Sequence, residues 1–286
     1  NGSHGFRVPF SRAMRIIWAL VWLMGAIYAA PTRRATEHRA PTLALRPPAP
    51  YHRAMTSESD PGQRAPCPAP FNMAAHVLSH ADRLADKTAI EVLGGESRRI
   101  RYGALRSAVL GVATGLRQAG LVPGDRVLLR LGNTEDFPIA YLGAIAAGMV
   151  PVPSSTQWTL PELTRATALI GPAAIVHSPG VACPETACPI LTLDALRAMY
   201  TLPPAAWHMG DPNRAGYIVF TSGTSGTVRA VVHAHRAIWA RRMMWDGWLG
   251  LTETDRLLHA GAFNWTDVKV RRTFELANVS PWSVSR

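Results

Sequence analysis

This sequence predicts an α/β fold, a mainly parallel sheet flanked by helices. Two observations carry that reading. Short apolar, β-prone runs alternate with segments of helical period from residue 88 to residue 176. Glycine and proline turns separate them at short intervals, and no internal repeat of fixed period intervenes. Each element can be justified in order. Thr88–Leu93 and Arg98–Tyr102 flank Gly94-Gly95, which is a hairpin signal. Leu105, Val109, Val112 and Leu116 recur at helical spacing, and Gly120 closes that helix. Pro123-Gly124-Asp125 makes a turn into the buried strand Arg126–Leu131. Asn133 is positioned to cap a second helix, which runs through Tyr141 and Ile145 to Gly148. Val150–Pro153 is a short strand, followed by a helix over about 160–170 and a strand at Ala173–Val176. Strands joined through helices in this rhythm lie parallel, with helices on the sheet faces.

Composition bounds the function. The chain has 286 residues, 48% hydrophobic and 17% charged, which excludes wholesale disorder, a collagen-like fibre and a coiled coil. Three cysteines, Cys67, Cys183 and Cys188, are too few for a disulfide scaffold and match no zinc spacing, so they read as reduced thiols. A net charge of +11 invites a nucleic-acid reading. Its distribution argues against one. Residues 1–55 carry eight arginines against one acid, whereas 56–266 carry 18 basic and 16 acidic residues. Residues 267–286 add four bases against two acids.

Both ends stand apart from the body. Residues 16–30 form an apolar run behind Arg7, Arg12 and Arg15, which has the pattern of a secretory signal but is short for a membrane span. Residues 31–70 are rich in Pro, Arg and Ala and read as disordered. Met55 opens a more ordinary polar start. Residues 1–54 are therefore expected to be a dispensable or mistranslated extension, and the body to be cytoplasmic. A secreted or membrane-associated protein is the competing reading, should the apolar run be genuine.

The chemistry concentrates at 216–233. Gly216–Phe220 reads as a strand and ends in Thr221-Ser222-Gly223-Thr224-Ser225-Gly226-Thr227. Seven small residues in succession cannot pack a core, but they bring backbone N–H groups and hydroxyls close to a ligand. A polyphosphate needs that environment, and Arg229 adds a fixed positive charge. Val231-Val232 reads as the returning strand. A plain flexible hairpin tip is the bland alternative. It is not a Walker loop, because G-x-x-x-x-G-K-S/T is absent.

The segment YIVFTSGTSGTVRAVVHAHRA resembles the phosphate-loop signature of the adenylate-forming (AMP-binding) ligase superfamily, which includes acyl- and aryl-CoA synthetases. Thr221, Ser222, Gly223, Thr224 and Gly226 stand at matching positions, and Ser225 replaces threonine. Residues 100–127, 140–155 and 257–266 resemble three further cores of that superfamily in the same order, so the resemblance covers about 71–266. It departs at Val228, Arg229 and Ala230, where the family has Pro-Lys-Gly. No Y-G-x-T-E or Y-x-T-G-D core follows, nor does the hinge or the small C-terminal domain with its catalytic lysine. After Thr266 the family pattern stops.

The resemblance implies an incomplete N-terminal domain of the adenylate-forming ligase fold over 55–266, with a non-homologous tail at 267–286. It implies a reaction in which a small carboxylic acid attacks the α-phosphate of ATP with Mg²⁺, after which coenzyme A takes the acyl group. Thr221, Ser222, Gly223, Thr224, Ser225, Gly226 and Arg229 would hold the β- and γ-phosphates, and Phe263 and Trp265 would line the acid pocket. An ordinary core role competes for those two aromatics. No catalytic residue is assigned. His233, His235 and His259 suggest a metal only weakly, so none is assigned to them. This chain is expected to lack full activity alone. The alternatives are an unrelated nucleotide-binding enzyme such as a kinase, and a secreted or membrane-tethered non-enzymatic protein. Nucleic acid is not an expected partner, and neither is a membrane unless residues 16–30 are genuine.

Overall fold

A computed structural model of the chain describes residues 65–93, 98–222, 228–242, 253, 258–259, 263 and 282–285. The chain divides into two units, Asn1–Pro61 and Gly62–Arg286. The first, with the apolar run at 16–30 and most of the Pro/Arg-rich stretch, lies outside the described residues.

The second unit begins with helix α1 (Met73–Val77), whose N-cap Asn72 accepts from the backbone N–H of Ala74 and Ala75. The hairpin expected at 88–102 is present as β1 (Thr88–Leu93) antiparallel to β2 (Arg98–Arg101). Helix α2 (Tyr102–Gln118) buries the expected face, Leu105, Val109, Val112 and Leu116. Strand β3 (Arg126–Arg130), helix α3 (Asp136–Ala146) and strand β4 (Val150–Pro153) follow. Helix α4 (Leu160–Ile170) opens with a capping box between Thr159 and Glu162 and ends at left-handed Gly171, φ 48°. Strand β5 (Ala174–His177), strand β6 (Ile190–Thr192) and helix α5 (Leu193–Ala198) complete the alternation. Strands β7 (Ala215–Ser222) and β8 (Val228–Ala234) pair antiparallel, and helix α6 (Ala237–Arg241) follows.

Strands β4, β3, β5 and β6 form, in that order, an all-parallel sheet. A second sheet has the order β2, β1, β10 (Trp282–Ser285) and β9 (Leu258–His259). Residues 282–285, within the segment where the family pattern ends, thus pair parallel with β1. The Trp/Met-rich stretch 239–248 reads from its sequence as a helix covering the sheet, and it lies within the described residues only as far as Arg242, with α6 ending at Arg241.

Helix α3 is buried along its whole length, as an almost uniformly apolar helix must be. It packs tightly on α2, because a Cβ on Gly143 would stand 2.5 Å from Val112 Cγ1. The cap of α3 differs from expectation. Its N-cap is Glu135, and Asn133 instead accepts from the backbone N–H of Phe263, at 2.9 Å. A contact 130 residues away claimed the side chain that local propensity had assigned to the helix. One apolar cluster spans α1, α2 and α3, and a second packs Leu128, Val152, Leu163, Ile175 and Ile218 between the parallel sheet, α4 and β7.

Candidate nucleotide site

The hairpin β7–β8 carries the residues of greatest interest. Its β-branched and aromatic strands pair in a register that sets Thr221 opposite Arg229 and Ser222 opposite Val228. Thr221 and Arg229 are both exposed at the loop end of the hairpin, so a hydroxyl and a guanidinium are presented together. Gly223, Thr224, Ser225 and Gly226 fall in the connection between the strands and lie outside the described residues, as does Trp265.

The base of the hairpin is firmly held. Tyr217 is buried, with the His233 ring stacked on it at 4.7 Å and 6° and the Tyr141 ring edge-on at 6.0 Å. Phe220 meets the edge of Trp158 at 4.9 Å. Below the strands, His235 is fully buried and its Nδ1 accepts from the backbone N–H of Met73 at 3.0 Å. That bond requires Nδ1 to be unprotonated. Burial, with Arg214 and His208 adding to it, pushes this histidine down to about 3. Arg214 itself donates to the carbonyls of Phe71 and His208, at 2.7 and 2.8 Å, tying the segment before β7 to the start of α1. His233 and His235 thus have packing and hydrogen-bonding duties. No group of three His, Cys, Asp or Glu able to hold a metal ion occurs among the described residues.

Phe263 is placed differently. Its side chain is buried and stacked on Phe137 at 5.2 Å and 12°. Phe137 stacks on Tyr141 in turn, at 6.4 Å. A ladder of rings, Phe263, Phe137, Tyr141, Tyr217 and His233, therefore joins the β3–α3 turn to the hairpin. The structure puts Thr221 opposite Arg229 in the hairpin register, and the ladder connects Phe263 to the base of that hairpin.

Two buried groups escaped the sequence reading. Arg130, at the carboxyl end of β3, is 0% exposed. It donates to the Ala182 carbonyl at 2.9 Å, to Ser154 Oγ at 3.2 Å and to the Ser155 carbonyl. Its Nη2 has no hydrogen-bond partner among the described residues, and burial lowers its pKa. An arginine inside the apolar run RVLLRL was the available signal. Asp136, 1% exposed, receives Arg197 through both oxygens at 3.0 and 2.8 Å, Tyr200 Oη at 2.8 Å and Thr134 Oγ1 at 3.0 Å. Burial opposes its ionisation, but these donors outweigh it and hold the carboxyl below its usual range.

The carboxyl ends of parallel strands are where open α/β sheets bind ligands. Here Arg130 ties the turns after β4 and β5 into that edge. Among the described residues, no helix is long and apolar enough to cross a membrane.

Comparison with known proteins agrees with this architecture. The family model of the AMP-binding enzymes matches residues 77–266. The long-chain-fatty-acid–CoA ligase FadD13 of Mycobacterium tuberculosis is 27% identical over 183 residues, 56% of this chain and 34% of the relative. The 4-hydroxybenzoate–CoA/benzoate–CoA ligase of Rhodopseudomonas palustris is 30% identical over 180 residues, covering 52% and 32% of the two chains. This chain therefore spans about a third of the length of these relatives. Among solved structures, ATP-bound MatB from Rhodopseudomonas palustris superposes with a TM-score of 0.65 at 25% identity, over 74% of this chain and 44% of the other. The benzoate CoA ligase of Burkholderia xenovorans shares the fold with a TM-score of 0.66 at 21% identity, over 75% and 45%. With the family model matching well over half of its length, the chain belongs to the AMP-binding enzyme family, built on the fold of the adenylate-forming ligases.

Proposed function

We propose that residues 55–266 are the phosphate-gripping part of an ATP-dependent acyl- or aryl-CoA ligase. The supporting observation is the pairing of Thr221 with Arg229 at the loop end of a rigidly based hairpin, in a chain of the AMP-binding family. The hydroxyl and the guanidinium are both donors that meet phosphate oxygens. In this reading Thr221, Ser222, Gly223, Thr224, Ser225 and Gly226 surround the β- and γ-phosphates of ATP, and Arg229 counters their charge. A substrate carboxylate attacks the α-phosphorus, the bond to the bridging oxygen breaks, and pyrophosphate leaves. The thiol of coenzyme A then attacks the acyl carbon of the acyl-adenylate, the bond to the phosphate oxygen breaks, and AMP leaves. Negative charge is conserved and redistributed over the leaving phosphates, so the loop contributes positioning and electrostatic stabilisation rather than covalent chemistry. Phe263 and Trp265 are proposed for the acid pocket, with Phe263 held by Phe137 and Asn133. The described residues offer no carboxylate cluster for Mg²⁺, and none is assigned to it.

We further propose that the 286 residues alone do not complete the reaction, since the Y-G-x-T-E and Y-x-T-G-D cores are absent from them. The test is carboxylate-dependent exchange of pyrophosphate into ATP. The purified chain is expected to show none, and a chain carrying the family's downstream cores is expected to show it. Clear exchange by the 286 residues would overturn the claim of incompleteness. Unchanged exchange after Thr224→Ala and Arg229→Ala in the longer chain would overturn the loop assignment.

A further inference from the structure

Arg130 is a charge placed where an apolar side chain would cost less. By strand alternation it shares the face of Leu128, which packs with Val152, Leu163, Ile175 and Ile218. A well-packed apolar residue there would escape the desolvation that a buried guanidinium suffers, so bulk stability does not account for it. What an apolar residue lacks is the three hydrogen bonds. All three go to the turns that follow β4 and β5, the strands on either side of β3.

The turn after β4 leads to the nucleotide hairpin. Ser154 Oγ donates to the Leu129 carbonyl at 3.0 Å, and the backbone N–H of Gln157 donates to Ser155 Oγ at 3.2 Å. The Ser155 carbonyl that accepts from Arg130 also accepts from the backbone N–H of Trp158, at 3.3 Å. Trp158 is thereby held just before the capping box of α4, where its ring meets the edge of Phe220. Phe220 adjoins Thr221 and stands opposite Ala230, as Thr221 stands opposite Arg229.

The hairpin depends on such support. Among the described residues, β7 and β8 pair only with each other, in a sheet separate from the parallel one. Side chains therefore seat it. Tyr217 and Val219 belong to the larger apolar cluster, and Ile218 and Phe220 to the smaller one that Trp158 also joins. Of these four, Phe220 is the seat nearest the loop end.

We propose that Arg130 is a positioning residue for the Thr221–Arg229 pair, acting through the Ser155 turn and Trp158 on Phe220. The role rests on the reading of the hairpin as the phosphate grip. Removing the guanidinium frees the Ser155 carbonyl and lets Trp158 shift from Phe220. The loop end of β7 then loosens, while its base at Tyr217 stays held by Tyr141 and His233.

The first measurement is amide hydrogen exchange on the whole 286-residue chain, without nucleotide. Arg130→Met keeps the volume and removes the bonds. Exchange in β7 and β8 is expected to quicken about 10-fold, with β1 and β2 unchanged. Trp158→Leu is expected to have the same effect, and the double variant no larger one. Arg130→Lys is expected to have a smaller effect, because an ammonium still donates to the Ser155 carbonyl. The second measurement is pyrophosphate exchange into ATP by a chain carrying the family's downstream cores. There Arg130→Met is expected to raise half-saturating ATP about 10-fold and to leave half-saturating carboxylate unchanged. Unaltered exchange in β7, a rise spread evenly over both hairpins, or additive effects of the two variants would each overturn the proposal. So would half-saturating ATP that stays at the parent value in Arg130→Met while Arg229→Ala raises it. Should Arg229→Ala also leave ATP use unaltered, the phosphate reading falls, and hydrogen exchange alone decides whether Arg130 positions the hairpin.

Discussion

Arg229 stands exposed on β8 opposite Thr221, so removing its guanidinium touches no core contact. Arg229→Ala in a chain with the downstream cores is expected to raise the ATP concentration for half-maximal exchange at least 10-fold. A charge-assisted hydrogen bond contributes about 1.5–3 kcal/mol, and about 1.4 kcal/mol is tenfold. Arg229→Lys is expected to recover part of the loss, because it keeps the charge but not the planar fork. Arg130 is the opposite case. It is wholly buried, with three bonds and no acid partner among the described residues. Arg130→Ala is expected to cost about 2–4 kcal/mol in urea unfolding, through a cavity and the freed Ser154, Ser155 and Ala182 groups. Arg130→Met is expected to cost less, since an apolar chain fills the space without a charge to desolvate. Equal losses in the two variants would show that the hydrogen bonds, not the volume, matter.

At the scale of elements, the close crossing of α2 and α3 is tightly constrained. Gly143 meets Val112, and Gly111 meets the carbonyl of Met199 beyond α5. Gly143→Val is expected to destabilise by about 1–3 kcal/mol or more, because backbone and Val112 must both yield. Gly132→Ala serves as the control, since a Cβ there meets nothing within 4 Å. Its unfolding midpoint is expected to stay near that of the parent. The elements themselves were largely legible. The hairpin at 88–102, the helix over 102–118, the strand at 126–130 and the helix over 160–170 all follow from local pattern and caps. What escaped was the short β6 and α5 after 189, where three strand residues offer too little periodicity to read.

For the whole molecule, stability should depend on acid in two stages. His235 is held down to about 3 and His76 to about 4, in each case chiefly by burial. Ordinary histidines titrate near 6.5. Below about pH 6.5 the unfolded chain therefore binds protons that the folded chain refuses, and this stability drains away as pH falls toward 4 and 3. Asp136 is depressed too, so its contribution is intact above the usual carboxylate range and fades only at lower pH. Calorimetry is expected to show a flat melting midpoint from pH 8 to 7 and a progressive fall below 6.5. His235→Asn, which keeps an acceptor for Met73, is expected to flatten the upper part of that fall. An unaltered slope would remove His235 from the account. The same long reach separates the two levels of information in this protein. Alternating period, turn residues and the small-residue run at 221–227 are local properties, so the α/β class, the hairpin and the family resemblance could be read from neighbours in the chain. Which polar side chains are buried, and what they hold, depends on partners far along it. Asp136 meets Arg197 61 residues on, His235 meets Met73 162 residues back, and Asn133 gives up a helix cap to Phe263. Only folding brings those groups within hydrogen-bond distance, because a buried polar atom must find a partner wherever the packed chain supplies one.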